Sequence, residues 1–549
     1  MRGGQEPGGL AARDPHADDG ADTGADRRGR MMASNGEERP NVLFICADQW
    51  RADCLSALGH PNVRTPNLDA LAADGVLFER HFGQCTPCGP SRVSLLTGLY
   101  LMNHRSGRNG TPLDARHTNL ALEARRAGYE PALFGYTDTS PDPRGRPAGD
   151  PALTAYDRGV MPGFVTPLHL PDDMAPWVAD LVARGHDLPR GRDDAFRPRE
   201  GHAPPEGHGF RAIPTRFAAE ESETAFLTDQ FLKWLTPRRH QPWFAHLVFY
   251  RPHPPLIAPE PYNTAVHPRD VAMPPRAATL AQEKASHPYL ACELENLAAP
   301  GHYDEHSPLD PTRADDLEIR QMRATYYGLI AEVDHHLGRI IAHLKKTGEY
   351  ARTLIVVTSD HGELLGEHYL WGKEAWFDAA FRLPLVIRDP RAKARPGSRV
   401  TAFTEAVDIM PTILDWLGLA APRSCDGRTL LPLLHGTTPP DWREEVFFEH
   451  DFRDVVSQRP ERALGLSSDE CTYAVMRGAR WKYVHFAALP PLLYDLDSDP
   501  HERMNLANDP AMAAVLARCA QRMLDWRLVH AERTLTNMAL TPAGLFSRP

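Results

Sequence analysis

Long apolar runs are missing from this 549-residue chain. No stretch approaches the roughly 20 consecutive apolar residues that a membrane-crossing helix needs. Residues 1 to about 38 are rich in Gly, Asp, Arg and Ala and hold no apolar segment of signal-peptide length, so the cytoplasm is the expected location. Excess positive charge is missing too. The 61 Lys and Arg are outnumbered by 72 Asp and Glu, a formal charge of −11, which argues against nucleic acid or a membrane surface as partner. Cysteine is sparse: Cys46, Cys54, Cys85, Cys88, Cys292, Cys425, Cys471 and Cys519 follow no framework spacing, as expected in a reducing compartment. Only Cys85 and Cys88 form a Cys-x-x-Cys pair, and a zinc ribbon needs a second one. No internal repeat is present.

What remains is the composition of an ordinary globular protein, 24% charged and 42% hydrophobic, long enough for one large domain and a smaller one. The acidic run from Asp18 to Asp26 superficially resembles a calcium loop but lacks flanking amphipathic helices and a closing Glu. Residues 1–38 therefore read as a disordered tail, with Met31 and Met32 as alternative starts.

From Asn41 onward, strand and helix signals alternate. Residues 42–47 are continuously apolar, as in a strand buried on both faces of a parallel sheet, and 129–136, 243–250 and 353–359 read as further strands. Residues 67–74 form a short helix. The longest helical period runs over 312–346, through Tyr326, Ile330, Val333, Leu337, Ile341 and Leu344. His335 and His336 on it are expected to be solvated or packed. A helix covers 407–417. Past a boundary near 435–445, strands at 445–449, 472–476 and 481–486 suggest a small antiparallel sheet, with a helix from about 511 to 531 against it. Residues 140–217, dense in Pro, Gly, Arg and His, read as an irregular insertion forming a pocket wall or a subunit contact. The expected fold is α/β: a large mixed, mostly parallel sheet sandwiched by helices over 39–438, then a smaller C-terminal antiparallel-sheet subdomain over 439–549.

In an open parallel sheet, ligands bind beyond the carboxyl ends of the strands. Asp48 and Gln49 follow the first strand, Tyr136 ends the next, Arg251-Pro-His253 follows the third, and Asp360-His361 follows the fourth. Four strands thus deliver polar residues to one edge. Asp48, Asp360 and His361 make a divalent-metal site, with Cys88 and the Gln49 amide oxygen as further donors. The mixed carboxylate and imidazole set suits Mn²⁺ or Zn²⁺, and Ca²⁺ is compatible. His253, stiffened by flanking prolines, either protonates a leaving group or bonds to nearby backbone. Lys373 either supplies a cation to the transferred group or is solvated. Asn109, Tyr136 and Asp138 complete the candidates for substrate contact.

The most specific segment is Cys85-Thr-Pro-Cys88-Gly-Pro90-Ser-Arg92, running on to Leu96-Thr-Gly98. Pro90 fits the first turn of a helix, where its missing N–H is not needed. Cys88 then lies at a helix N-terminus, whose partial positive charge favours an anionic oxygen. Arg92, one turn on, can orient that group or contact an anion. This Cys-x-Pro-x-Arg and Leu-Thr-Gly combination resembles the sulfatase signature, in which a maturation enzyme oxidises the cysteine to a formylglycine aldehyde. A hydrated aldehyde carries two hydroxyls on one carbon: one attacks, and loss of the other's proton expels the product and restores the aldehyde.

Further matching pieces are Ala47-Asp48-Gln49-Trp50-Arg51, Thr137 with Pro141-Asp-Pro-Arg144, Tyr250-Arg-Pro-His253-Pro-Pro, Thr358-Ser-Asp360-His361-Gly-Glu363, Phe486-Ala-Ala-Leu-Pro-Pro491 and Leu493-Tyr-Asp-Leu with Asp499-Pro-His-Glu502. Together they resemble the sulfatase branch of the alkaline phosphatase superfamily over nearly the whole chain from Asn41, and within it most of all the phosphonate monoester hydrolases, which also cleave phosphodiesters. The resemblance implies Asp48, Gln49, Asp360 and His361 as metal ligands, Cys88 as the formylglycine nucleophile, and Arg92, Asn109, Tyr136, His253 and Lys373 as residues lining the site. It also implies a homotetramer. Typical sulfatases carry Asp-Asp where this chain has Asp48-Gln49, and often Asn where it has His361. Both differences point to the phosphonate branch. Asp138 departs from that branch, which has threonine beside the substrate, and an added carboxylate there repels an anion. The expected activity is metal-dependent hydrolysis of phosphonate monoesters and phosphodiesters, promiscuous towards sulfate esters, acting on small anionic esters after a formylglycine-generating enzyme has acted on the chain. An arylsulfatase of the same machinery, or a silent binding protein with Cys88 still a thiol, are the competing readings.

Overall fold

The computed structural model describes residues 39–154, 159–299, 310–391 and 395–548, so the expected tail over 1–38, with its acidic run and Met31 and Met32, lies outside the described residues. The central sheet is built from β1 (Asn41–Ala47), β2 (Val76–Phe78), β3 (Ala132–Gly135), β4 (Val165–His169), β5 (Phe244–Phe249), β6 (Thr353–Ser359), β7 (Leu385–Arg388) and β8 (Ser398–Val400). Their spatial order is β8-β2-β7-β6-β1-β5-β3-β4. Only β7 runs against its neighbours β2 and β6, so the sheet is mixed and mostly parallel, as expected. Strands β1, β5 and β6 are buried at every position, which is why their sequences are apolar throughout. Register brings their ends level: Ala47 pairs with both Phe249 and Ser359. Asp48, Tyr250 and Asp360, each one residue further on, therefore leave the sheet side by side.

Helices α1 (Pro66–Ala73), α2 (Cys88–Thr97), α3 (Leu120–Arg126), α4 (Ala175–Ala183), α5 (Glu223–Leu235), α6 (Pro288–Leu297), α7 (Asp316–Thr347) and α8 (Ile409–Trp416) accompany the sheet. Helix α7 packs on α1 and α5, and α8 on α2 and α3. The apolar stripe of α7 faces inward, with Tyr326, Ile330, Val333, Leu337, Ile341 and Leu344 all buried. It starts later than the expected Thr312, because the Asp310 side chain holds Thr312 in a turn of its own at 2.9 Å. The helix begins where Asp315 caps it by accepting from the Glu318 N–H at 2.9 Å. His335 is exposed and His336 packed, as expected of that pair.

The segment expected to be an irregular insertion contributes more than loops. Its β4 extends the sheet beyond β3, and α4 buries Trp177 and Leu181. Strand β4 carries Pro167 and is largely exposed, the mark of an edge strand that apolar patterning does not reveal. Downstream, β9 (Glu445–Asp451), β10 (Thr472–Gly478), β11 (Trp481–Phe486) and β12 (Leu492–Asp495) form the expected antiparallel sheet, with α9 (Ala513–Val529) packed on β10 and β11. A hairpin of β13 (Met538–Thr541) and β14 (Gly544–Ser547) follows, exposed at all eight strand positions. Residues from Pro40 onward make one compact unit. Among the described residues, no helix is long and apolar enough to cross a membrane.

Candidate active site

At the level edge of β6, β1, β5 and β3, side chains from four separate segments meet. Donor atoms of Asp48, Cys88, Asp360 and His361, all buried, lie within 4.8 Å of one another. Cys88 Sγ is 3.1 Å from His361 Nε2 and 3.9 Å from Asp48 Oδ1. The ring orientation of His361 has a local cause. Its Nδ1 is 3.0 Å from the Gly362 carbonyl oxygen, which can only accept, so Nδ1 carries the proton and Nε2 presents its lone pair to the cluster. Asp360 is held by N–H donors from Gln49 at 3.1 Å and His361 at 2.9 Å.

Cys88 opens α2, as the position of Pro90 implied, and the helix ends at left-handed Gly98. Gly89 is required here: a Cβ would meet the Asp138 carbonyl oxygen at 2.8 Å. Its N–H donates to Asn109 Oδ1 at 2.8 Å, so Asn109 serves the start of the helix. Arg92 is 2% exposed and threads the carboxylates, with Nη2 at 2.7 Å from Asp48 Oδ2, Nε at 2.9 Å from Asp360 Oδ2 and Nη1 at 3.4 Å from Asp138 Oδ2. Its guanidinium lies 4.3 Å from the ring centre of Tyr136, whose hydroxyl donates to Asp48 Oδ2 at 2.8 Å.

Two cations against several buried acids set the electrostatics. Burial, then the neighbouring Asp360, pushes the Asp48 carboxyl up. Burial also opposes ionisation of Asp360, but His361 and Arg92 outweigh it and hold that carboxyl below its usual range. Burial and Asp48 raise the Cys88 thiol, against which Lys373 pulls. A thiol so placed is a poor nucleophile at neutral pH. Burial would lower Lys373, yet the charges of Cys88, Asp48, Glu374 and Asp360 override it and push the ammonium up.

Beside the cluster is a cavity of about 200 Å³ lined by Gln49, His253, Glu293, Trp371, Lys373 and Glu374, among others. Lys373 Nζ donates to Gln49 Oε1 at 2.9 Å, and Gln49 Nε2 donates to Glu363. The Gln49 side chain is thus engaged by Lys373 and Glu363, with its backbone in the left-handed region at φ 68°. The structure brings together every residue expected at the site. It adds others that the sequence did not single out. Glu374 pairs with His450 of β9 at 3.2 Å, and His450 Nδ1 lies 3.1 Å from Thr86 Oγ1, two residues before Cys88. Burial, then Glu374, raises the Glu293 carboxyl to about 7. Glu374 directly follows Lys373, and that adjacency was the only available signal; Glu293 and His450 lie in ordinary helix and strand patterns.

A family model described as Sulfatase matches residues 40–419. The chain belongs to the sulfatase family. A second model, described as N-sulphoglucosamine sulphohydrolase, C-terminal, matches residues 366–528 of this sulfatase-family chain. It is 45% identical to the multifunctional alkaline phosphatase superfamily protein PehA of Trinickia caryophylli over 515 residues, covering 93% of this chain and 99% of that one. It superposes on the phosphonate monoester hydrolase of Agrobacterium radiobacter with a TM-score of 0.88 at 48% identity, covering 93% and 100% of the two chains. With the phosphonate monoester hydrolase of Silicibacter pomeroyi the TM-score is 0.86 at 44% identity, over 93% and 99%. The arylsulfatase of Clostridium perfringens is 27% identical over 480 residues, 86% of this chain and 90% of that one. The chain is accordingly a hydrolase of the sulfatase family, a family that implies a divalent metal and a formylglycine made from the motif cysteine.

Proposed function

We propose that this hydrolase cleaves phosphonate monoesters and phosphodiesters through a formylglycine formed from Cys88, with side activity on sulfate esters. The observation that carries the reading is the position of the motif cysteine, 3.1 Å from His361 Nε2 and inside a buried cluster with Asp48 and Asp360. Its donor set suits a divalent cation, because two facing buried carboxylates and an imidazole lone pair are left with more negative charge than Arg92 alone offsets. Asp48, Asp360, His361 and the oxygen of modified Cys88 would hold the ion, with Gln49 beside them, and Mn²⁺ is the ion we favour. When bound, the ion supplies Lewis-acid polarisation and lowers the pKa of a coordinated hydroxyl. The hydrated formylglycine supplies two geminal hydroxyls, one to displace the alcohol and one whose proton loss releases the acid and restores the aldehyde.

The rest is done by this chain's own side chains. Arg92 bridges Asp48 and Asp360 and fixes their spacing, while Tyr136 donates to the same Asp48 oxygen as Arg92 and leaves Oδ1 facing the cluster. Asn109 holds the N-terminal turn that presents residue 88. Lys373, kept charged by the surrounding acids, binds the anionic oxygens of the ester and offsets their growing charge. His253, on the cavity wall, protonates the leaving alcohol. Identity of 44–48% to two phosphonate monoester hydrolases, against 27% to an arylsulfatase, favours phosphorus over sulfur.

We further propose a cytoplasmic homotetramer with a catalytic domain over 39–438 and a C-terminal subdomain over 439–549. All eight cysteines are unpaired, in keeping with a reducing compartment. The exposed hairpin of β13 and β14 suits a subunit contact, because two isolated strands are marginal in water.

Two measurements test the function. Intact-peptide mass spectrometry across residue 88 should show replacement of sulfur by oxygen in protein co-produced with a formylglycine-generating enzyme. The Mn²⁺-loaded protein should turn over a phenylphosphonate aryl ester at least tenfold faster than the matching aryl sulfate. The reverse order makes the chain an arylsulfatase, and an unmodified thiol with no turnover of either makes it a binding protein.

A further inference from the structure

His253 sits on a loop with few backbone bonds, its own N–H donating to the Tyr250 carbonyl at 3.1 Å and the Ile257 N–H to the Pro255 carbonyl at 2.9 Å. Pro252, Pro254 and Pro255 have no N–H to donate, so side chains supply the other donors to the loop carbonyls. Arg251 and Tyr250 meet them. Arg251 Nη1 donates to the His253 carbonyl at 2.9 Å and to the Pro255 carbonyl at 2.7 Å. The Tyr250 hydroxyl donates to the Pro254 carbonyl. His253 Nδ1 lies 2.7 Å from that same oxygen, which only accepts, so Nδ1 carries the proton and transfer to a leaving group falls to Nε2.

Arg251 is in turn anchored. It is 1% exposed, and its Nε lies 2.6 Å from Glu223 Oε1 on a side chain that is 2% exposed. The contact is one of charge, since neither Glu223 oxygen has an aligned donor among the described residues. The guanidinium also lies 4.7 Å from the ring centre of Phe196, and Arg192 Nη2 donates to the Tyr250 hydroxyl at 3.1 Å. Arg192 and Phe196 belong to the segment over 140–217, which thereby backs the loop.

We propose that Arg251, its charge balanced by Glu223, is a positioning residue: it fixes the carbonyls on either side of His253 and so the reach of the imidazole towards the leaving oxygen. This rests on the reading of His253 as the group that protonates the leaving alcohol. The test uses matured, metal-loaded full-length enzyme and two aryl phenylphosphonates, one releasing 4-nitrophenol and one releasing unsubstituted phenol. An acidic phenol departs without protonation, whereas a weakly acidic one needs it. H253Q sets the reference, with kcat/KM expected to fall about 100-fold or more on the phenol ester and about tenfold or less on the nitrophenol ester. The double variant E223Q/R251Q, which removes the two paired charges together, should show the same selective loss. R251K should retain part of the phenol-ester rate, because an ammonium keeps the charge and reaches the two carbonyls less well. An equal loss on both esters in the double variant, or no loss, while H253Q stays selective, overturns the inference alone. H253Q without selective loss overturns the role of His253 and this inference with it. Should the double variant fail to fold, R251K decides by the same comparison.

Discussion

Arg92 carries more opposing charge than a single guanidinium balances. Asp48, Asp138 and Asp360 all lie within 3.4 Å of it. Asp138 is the odd member, because the other two are placed to share a cation and it is not part of the donor cluster. On the proposed function, its carboxylate would repel an incoming anion. Removing that charge is worth about 1 kcal/mol after screening, or about a fivefold change. D138N should therefore raise kcat/KM for an aryl phosphonate roughly fivefold and tighten inhibition by inorganic phosphate to match. A rate that falls, with phosphate binding unchanged, would show that Asp138 supports Arg92 and does not burden it. Asp48, Cys88, Arg92, Asp360 and His361 were legible in the sequence because each belongs to a short pattern whose spacing the chemistry dictates. Glu223, Glu293 and His450 were not, because each reaches its partner only through the folded chain, across sequence separations that no local pattern records.

At the level of elements, α5 and α7 meet over a pair of acids. Glu332 of α7 is buried, and burial together with nearby Glu223 of α5 holds its carboxyl above the usual range, against the pull of Arg251. A carboxyl whose pKa is raised on folding stabilises the fold while protonated. That contribution is complete below the unfolded value of about 4.3 and is lost as pH rises through neutrality to the folded value. Glutamine mimics the protonated form and does not titrate. E332Q should then gain on the wild type as pH goes from 5 to 9, by on the order of a few kcal/mol. Melting curves for both proteins at the two pH values measure this, and a constant gap between them would refute it. The strands β1, β5 and β6 were legible as apolar runs, and α7 as a helical stripe. The proline-bearing β4 and the hairpin of β13 and β14 were not, since β4 buries only Leu168 well, the hairpin buries no strand position among the described residues, and patterning reports only burial.

On the scale of the whole molecule, the C-terminal hairpin is the least self-sufficient part. Leu535, Leu540, Leu545 and Phe546 are 68%, 90%, 63% and 52% exposed, an apolar surface that nothing among the described residues covers. Deleting residues 535–549 should convert the proposed tetramer to a smaller species by light scattering, leaving the far-ultraviolet spectrum nearly unchanged. An unchanged mass would remove the hairpin from the subunit contact. The antiparallel sheet at the same end is bound to the site in another way. Through His450 it touches Thr86, two residues before the motif cysteine, and Glu374, next to Lys373.

Only 4% of Cys88 reaches solvent, at the mouth of a helix walled in by sheet and loops. No second enzyme can grip a side chain so enclosed. On the proposed maturation, oxidation would therefore have to come while the chain is still open, and folding would lock in whichever residue it finds. Purified, folded thiol protein mixed afterwards with the maturation enzyme should stay inert, whereas the same chain made alongside it should emerge competent. The fraction of working molecules in a cell would then be settled by a race between two clocks, one for collapse of the polypeptide and one for its chemical editing.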